Sequence, residues 1–494
     1  MTVLWLIITP VFTVVLLAAL LAVAFYVGSR RLAQRIETAM GDPPQRTLWE
    51  IFLTLREHSI SSLLMTMQRA ESAHPAERPM GSPVHPDWLS VIGIDPATFA
   101  PPPLGLEPVD LSVALGPASA RPLVLSMPVI VAPMGYGIGL SAETKVALAQ
   151  ASSLASIAIA SGEGPFLPEE RAYAQKWVLQ ESRGSWAHQP AVRQLADMIE
   201  LQWGQGSEGS KRVVKKSRDL PVRAQRAVGG RAVIRAAPLR LEEWVSEVRN
   251  DRPDCPLGVK IPATNHLETD LAYLCTLGVD VITLDGAGAG SAGSPAVISD
   301  HFGVPTAIAA HRAHRWLLSQ GVRSRVSLVV SGGIHDAADI ARLMALGADA
   351  VAVGTELLFS LLHEQVAEKV FRFPPTQLAF ARSSSNRAPK INQHQASEHA
   401  VNWLEATREE LKIILRTTGT TSWGEFRRLR PLVTRTAEAA QLFDIPFDGL
   451  PQKPGNLADT VGELVTSYQQ LNAILVGLLG SGGSGSVGRP RYRH

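Results

Sequence analysis

The chain has 494 residues, of which 46% are hydrophobic and 19% are charged, and its mean hydropathy is +0.08. This composition supports a sizeable buried core and excludes a globally disordered chain, a collagen and a polytopic membrane protein. The net charge of +2 gives no sign of nucleic-acid binding. Two cysteines, Cys255 and Cys275, are too few for a disulfide framework or a cysteine-ligated iron–sulfur cluster, and we expect both to be unpaired thiols.

The amino-terminal segment is long and apolar. Residues 4–27 carry no charged side chain, and a membrane helix needs about 20 such residues. Arg30, Arg31 and Arg35 follow the apolar run, which by the positive-inside rule puts the rest of the chain in the cytoplasm. We therefore predict a single-pass anchor over residues 1–28 in the cell inner membrane. A buried core helix is the alternative.

A juxtamembrane segment is predicted next, over residues 29–105. Its first part, residues 36–75, has a helical pattern of apolar residues. Residues 74–107 are rich in proline, which is typical of a spacer or of a strap across a surface.

Residues 106–400 alternate between short apolar runs and helical patterns. Strands this apolar are typical of a parallel sheet covered on both faces, and eight such units predict an α/β fold of the (β/α)8 TIM-barrel type. A doubly wound sheet is the alternative. The eight predicted strands are 128–132, 156–160, 198–202, 232–236, 257–261, 280–284, 326–330 and 349–353.

The turns after the last two predicted strands are rich in glycine. In a barrel these turns are neighbours at the end that carries the active site, and glycine lets backbone N–H groups approach an anion. They predict a phosphate site, although glycines that only turn a strand into a helix are the alternative. The residues concerned are Ser331, Gly332, Gly333, Gly354 and Thr355.

Other loop residues are candidates with less specific signals. Lys260, near the end of the fifth predicted strand, is expected at the barrel mouth or in a structural salt bridge, and Asp285 contacts a ligand or caps its loop. Gly288, Gly290 and Gly293 formally match a dinucleotide fingerprint, which we reject because no acidic residue follows at the required spacing. His311 and His314 are interpreted as part of a solvated helix face, so no metal site is predicted.

The carboxyl-terminal part is predicted as a helical extension over residues 401–480 and a disordered tail over residues 481–494. An apolar stripe within residues 457–479 is expected to pack on the barrel, with contact to a second copy of the chain as the alternative.

At these loops the sequence resembles the FMN-binding synthase domain of the glutamate synthase family, over roughly residues 106–360. The resemblance lies in residues 107–141, ASGEGP at 160–165 and IELQWGQGS at 199–207, followed by the glycine-rich turns in family order. It implies FMN at the barrel mouth and, in glutamate synthases proper, reduction of the imine formed from 2-oxoglutarate and ammonia.

The resemblance also implies roles for individual residues. Lys260 would face the reducible end of the flavin, with Glu163 and Asp285 as further catalytic candidates. Gln202 would occupy the ligand position of the third strand, which is usually a lysine. The remaining implied contacts are Pro133, Met134, Gly135 and Gly162 around the ring, and Ser331, Gly332, Gly333, Gly354 and Thr355 at the phosphate.

The sequence departs from the family pattern at several points. Glu208, Gly209 and Ser210 replace a Lys-Pro-Gly turn, and His311 stands where an acidic residue is usual. No cysteine follows Cys275, so we expect no iron–sulfur cluster. The chain also lacks the amino-terminal nucleophile of a glutaminase domain, so we expect no such domain in it.

Together these features predict a membrane-anchored FMN-dependent oxidoreductase that transfers two electrons to or from a small amino, imino or oxo acid. It would take electrons from a separate donor. The alternatives are a non-catalytic or substrate-diverged membrane scaffold that retains the barrel, and another FMN barrel such as a 2-hydroxy-acid oxidase.

Overall fold

The computed structural model divides the chain into two compact units, Met1–Ala76 and Glu77–His494. It describes residues 17, 20–34, 60–72, 74–78, 82, 84–99, 101–137, 139–182, 189–206, 214–215, 220, 222–227, 233–234, 240–287, 289, 294–367 and 391–447.

In the first unit, residues 20–34 and Ile60–Ser72 are helical. The predicted membrane span, residues 4–27, lies largely outside the described residues. Within the part that is described, no helix has both the length and the apolar character needed to cross a membrane.

The second unit is built around a closed barrel of eight parallel strands, which confirms the predicted barrel. Each strand pairs with its neighbour in the chain, and the last strand pairs with the first. The strands are β1 (Val129–Val131), β2 (Ala158–Ala160), β3 (Trp177–Ser182), β4 (Met198–Gln202), β5 (Leu257–Pro262), β6 (Val281–Asp285), β7 (Ser327–Ser331) and β8 (Ala350–Val353).

A helix follows each strand. Side-chain caps start two of them, because Ser141 accepts a hydrogen bond from the Thr144 N–H and Asp336 accepts one from the Asp339 N–H. The helices are α1 (Ala142–Leu154), α2 (Pro168–Tyr173), α3 (Pro190–Arg193), α4 (Leu241–Asp251), α5 (Leu267–Thr276), α6 (Thr306–Ser319), α7 (Ala337–Ala345) and α8 (Thr355–Ala367).

One predicted strand was wrong and one real strand was missed. Of the predicted strand at 232–236 the structure describes Val233–Ile234, which is not a barrel strand and pairs with Val214–Lys215 in a separate two-stranded sheet. The barrel instead contains β3, whose sequence WVLQES is too polar to stand out as a buried strand. The run at 198–202 is therefore the fourth strand of the barrel and not the third.

The amino-terminal end of the barrel is closed by an apolar plug. Val178, Met198 and Val281 point into the barrel and pack with Leu115 and Leu125 in one buried cluster. The two leucines belong to an antiparallel hairpin, Val113–Leu115 with Leu123–Leu125. The sealed end leaves the opposite, carboxyl-terminal end for ligands, as is usual for this fold.

Further elements wrap the outside of the barrel. Helix α9 (Gln393–Thr417) packs against α1, α7 and α8 and is followed by α10 (Trp423–Leu429) and α11 (Ala437–Phe443). The domain boundary predicted at residue 400 falls inside α9. The predicted stripe within 457–479 and the tail at 481–494 lie outside the described residues.

Part of the proline-rich segment does lie across a surface of the second unit. Glu77–Arg78 pairs with Ser294–Pro295 in the connection between β6 and α6. Further along, the Ser82 hydroxyl donates to Asp300 at 2.6 Å, and Ile92–Ile94 pairs with Leu432–Thr434.

Candidate active site

Lys260 lies at the carboxyl-terminal mouth of the barrel. Its ammonium group is 3.2 Å from a carboxylate oxygen of Asp285, and both side chains are buried. The sequence offered a place at the mouth and a structural salt bridge as alternatives for Lys260, and the structure has both. The ion pair holds the ammonium in one place.

Asp285 connects four of the barrel strands. Its Oδ1 accepts a hydrogen bond from the Ser331 hydroxyl at the end of β7, and its Oδ2 accepts one from the Gly206 N–H at 3.0 Å, just after β4. Through these contacts and its ion pair with Lys260 on β5, Asp285 fixes the positions of Ser331, Gly206 and Lys260 relative to one another. Its place at the end of β6 follows from the strand register, which pairs it with Ser331.

Gln202 is the partner of Lys260 in the register between β4 and β5. The side chain is only 4% exposed. Its Nε2 donates to Gln205 at 3.0 Å, whereas its Oε1 is buried without a hydrogen-bond partner in the described structure. A buried acceptor of this kind normally has a partner, so the site favours a polar ligand.

The turns after β1 and β2 are packed against each other through their backbones. A Cβ atom on Gly135 would lie 1.4 Å from the carbonyl oxygen of Glu163, so no other residue fits there. Gly162 has φ +70°, and a Cβ atom on it would lie 2.5 Å from the carbonyl carbon of Met134. Pro133 and Met134 are half-buried beside them, and Glu163 is buried. The predicted residues of both turns therefore come together at one side of the mouth.

The turns after β7 and β8 are more open. Gly332 and Gly333 have φ values of +107° and +64°, and nothing lies within 4 Å of a Cβ placed on Gly333. Gly354 lies next to Met134, and Thr355, the first residue of α8, is exposed. Four of the five predicted phosphate residues, Gly332, Gly333, Gly354 and Thr355, thus lie on one rim with a helix amino terminus, which is suited to an anion, whereas Ser331 is buried.

A buried carboxylate beneath the mouth was missed by the sequence interpretation. Glu200 of β4 is 5% exposed and accepts hydrogen bonds from the Gln180 amide at 2.7 Å and the Thr283 hydroxyl at 2.5 Å. These three residues form a polar layer between the apolar plug and the mouth. The alternation of β4 gives the signal, since Glu200 shares its face with Gln202.

The sequence interpretation also missed Lys145, which binds the backbone of the turn after β2. Lys145 of α1 is fully buried, and its ammonium donates to the carbonyls of Ala160 and Ser161 at 3.1 and 3.0 Å. It also pairs with Glu170 at 3.2 Å. Burial lowers the pKa of Lys145 and raises that of Glu170. A lysine in an apolar helix gave no sign of this role.

The two histidines of α6 do not form a solvated face, so that interpretation was wrong. His311 is 7% exposed and packs edge-on against Phe443, and His314 accepts a hydrogen bond from Arg323 at 3.0 Å. Burial lowers the pKa of each to about 4.

Among the described residues there is no cluster suited to a metal ion. Gly288, Gly290, Gly293 and Glu208–Ser210 lie outside the described residues.

Comparisons with known proteins agree with these observations. Residues 105–421 match the model of the conserved region in glutamate synthase. The chain is 30% identical over 378 residues to the glutamate synthase large subunit-like protein of Rhizobium meliloti, which covers 71% of this chain and 84% of that protein. It is 27% identical over 328 residues to the archaeal-type glutamate synthase (NADPH) of Thermotoga maritima, covering 63% of this chain and 62% of that one.

The match to the archaeal-type relative thus leaves more than a third of that protein unmatched. Among solved structures, the chain is similar to mandelate oxidase with 3,3-difluoro-2-hydroxy-3-phenylpropionic acid, with 18% identity, a TM-score of 0.46, and coverage of 71% of this chain and 91% of that one. By the extent of the family match and by its similarity to the Rhizobium protein, this chain belongs to the glutamate synthase family.

Proposed function

We propose that the chain is an FMN-dependent oxidoreductase whose flavin binds at the mouth of the barrel. The observation that carries the proposal is the buried ammonium of Lys260, which Asp285 holds at the mouth of the barrel and which is paired with Gln202 in the strand register. A cation at this place is suited to the negative charge of a reduced flavin.

The residues present fit FMN. The open backbone at Gly333 and the start of α8 at Thr355 would hold the phosphate. The unpaired Oε1 of Gln202 would be satisfied by a polar group of the ring system. The turn after β1 presents bare backbone at Gly135, because the Glu163 carbonyl leaves no room there for a side chain.

A bound flavin supplies two-electron transfer to or from a carbon centre. The protein's own contribution is to hold the side chains of the site in place. Asp285 fixes Lys260, and Lys145 fixes the turn that carries Glu163. We propose Glu163 as the buried carboxyl group that exchanges a proton with the substrate. The substrate would be a small amino, imino or oxo acid, and a separate donor would supply the electrons.

A second candidate is a substrate-diverged barrel that retains FMN without glutamate chemistry. Gln202 favours it, because an uncharged amide lies at a position where family members usually carry a lysine. The two candidates differ in one measurement. Reduced protein mixed with 2-oxoglutarate and ammonia forms glutamate under the first and none under the second.

The first experiment is to purify the chain and titrate it with FMN. We expect a yellow protein with a flavin absorbance spectrum that releases FMN on denaturation. A colourless protein that takes up no added FMN contradicts both candidates.

The second experiment tests Lys260 directly. Lys260→Met should lower the reduction potential of the bound flavin, because the cation that stabilises its reduced form is lost. Lys176→Met is the matched control, since Lys176 precedes β3 at the opposite end of the barrel and donates to the Ser156 carbonyl. An unchanged potential in Lys260→Met removes Lys260 from this role.

We also propose that residues 4–27 anchor the chain in the cell inner membrane with the barrel in the cytoplasm. The support is the uncharged run followed by Arg30, Arg31 and Arg35. The full chain should sediment with membranes and resist a salt wash, whereas a chain starting at residue 36 should not. Recovery of both chains in the supernatant contradicts the anchor.

A further inference from the structure

An ion pair connects the two turns at the rim of the barrel. Nδ1 of His335 lies 2.8 Å from Oε1 of Glu356. His335 follows Gly333 by two residues, and Glu356 is the second residue of α8, two after Gly354. The pair therefore spans the β7 turn and the helix start that together form the proposed anion site. The imidazole is 64% exposed and the carboxylate 23%.

The charged groups around His335 are acidic. Glu356 faces it from α8, and a carboxylate oxygen of Asp339 on α7 accepts the His335 backbone N–H at 3.0 Å. Asp87 acts on it from the segment that precedes the barrel. The hydrogen bond to Glu356 raises the pKa of His335, Asp339 and Asp87 act in the same direction, and partial burial opposes them. Asp339 is itself paired with Arg342.

The pair has two charge states within the range where histidine titrates. Below the pKa of His335, the imidazolium and the Glu356 carboxylate cancel. Above it, a single negative charge remains at the amino terminus of α8. A carboxylate there repels a phosphate and offsets the attraction of the helix amino terminus for it.

We propose that the His335–Glu356 pair makes the retention of a phosphate-bearing ligand at this rim depend on pH. Binding is tighter while the pair is neutral and weaker once Glu356 stands alone. The inference rests on the proposed function, in which these turns hold the phosphate of FMN.

The test compares FMN with riboflavin, which has the same ring system and no phosphate. Dissociation constants of both flavins are measured from pH 5.5 to 8.5 by fluorescence quenching. We expect the preference for FMN to fall roughly three- to tenfold as the pH rises through the pKa of His335. The phosphate's own second ionisation, near pH 6, acts in the opposite direction, because the dianion is attracted more strongly to the amino terminus of α8 than the monoanion is.

Three variants assign the effect to the pair. Glu356→Gln should raise the preference for FMN at high pH and move the midpoint down toward the ordinary histidine pKa of about 6.5. His335→Gln should abolish the step. The double variant His335→Gln/Glu356→Gln gives the baseline set by the ligand alone. Because the imidazole is exposed and the carboxylate is partly so, we expect all three variants to fold, and thermal melts check this.

The outcomes separate the two proposals. If the wild-type chain binds neither flavin, the proposed function fails and the inference fails with it. If it binds both, and the FMN-to-riboflavin ratio has the same pH profile in the wild type and the double variant, the inference is wrong while the proposed function stands.

Discussion

Arg193 brings a positive charge into the layer between the barrel and its helices without any exposure to solvent. Its guanidinium binds both carboxylate oxygens of Glu181 on β3, at 2.6 and 3.0 Å. Both side chains are completely buried, and the Trp244 indole donates to the same carboxylate at 2.9 Å. The pair joins β3, α3 and α4 and explains how a strand with a glutamate can be buried.

Arg193→Met should destabilise the chain by about 3–5 kcal/mol, because it removes the positive charge that balances the buried Glu181 carboxylate. Urea unfolding measures the loss. The double variant Arg193→Met/Glu181→Leu is the control, since it removes the fully buried ion pair and should recover part of the stability, although Glu247, Asp251 and the Trp244 indole also lose a partner. Equal losses in the single and double variants would show that the charge imbalance is not the cause.

His311 makes stability depend on pH. Burial lowers its pKa to about 4, and Arg430 and Arg315 act in the same direction. The unfolded chain, with an ordinary histidine pKa of about 6.5, therefore binds a proton before the folded chain does. Stability is fully present above pH 6.5 and is lost as the pH falls toward 4.

Between pH 7 and pH 5 we expect His311 to cost roughly 2 kcal/mol of folding free energy. Urea midpoints for wild type and His311→Asn at the two pH values measure it. The variant should show a smaller drop by that amount. His314, which is also shifted, remains in both proteins and so does not affect the comparison. Identical drops would contradict the prediction.

At the scale of elements, apolar periodicity predicts seven of the eight barrel strands and fails where polar residues are satisfied across the fold. β3 escaped the prediction because Gln180 is paired with Glu200 inside the barrel and Glu181 with Arg193 outside. The partners lie 20 and 12 residues further along the chain, beyond the reach of a periodicity within one strand. Val233–Ile234, within the predicted strand at 232–236, shows the opposite failure, because a β-branched apolar run has strand propensity whether or not it joins the main sheet.

The contact between the turns after β1 and β2 depends on one glycine. Gly135→Ala should separate the turns, because the added Cβ would overlap the Glu163 carbonyl. We expect loss of FMN binding while the far-ultraviolet circular dichroism of the barrel is kept.

Gly139→Ala is the matched control, since a Cβ there meets its nearest atom at an ordinary 3.5 Å. It should bind FMN like the wild type. Normal binding by Gly135→Ala would mean that the approach of the two turns does not shape the site.

At the scale of the whole molecule, the alternation of strands and helices is enough to predict the fold class. The glycine-rich turns could be placed because barrel topology brings the ends of consecutive strands together. The supporting groups could not be predicted, since Lys145 and Glu200 act through partners that only the closed barrel brings near them. Single residue types in a helix or strand carry no such signal.

Ligand binding should also appear in global stability. FMN at about 100 times its dissociation constant should add about 2.7 kcal/mol by mass action, which raises the melting temperature by a few degrees. AMP at the same concentration is the control for a non-flavin phosphate. A shift with FMN no larger than that with AMP contradicts specific flavin binding.

Helix α9 bears on how the chain folds during synthesis. It covers α1 and α8, and β8 pairs with β1, so residues near 130–154 find some of their partners among residues 350–417. A nascent chain must therefore keep its earliest barrel strand unpaired on one edge until more than 200 further residues have left the ribosome. Such delayed closure is slow and leaves apolar surface open in the meantime, so this chain should depend on chaperones more than a protein of local contacts would.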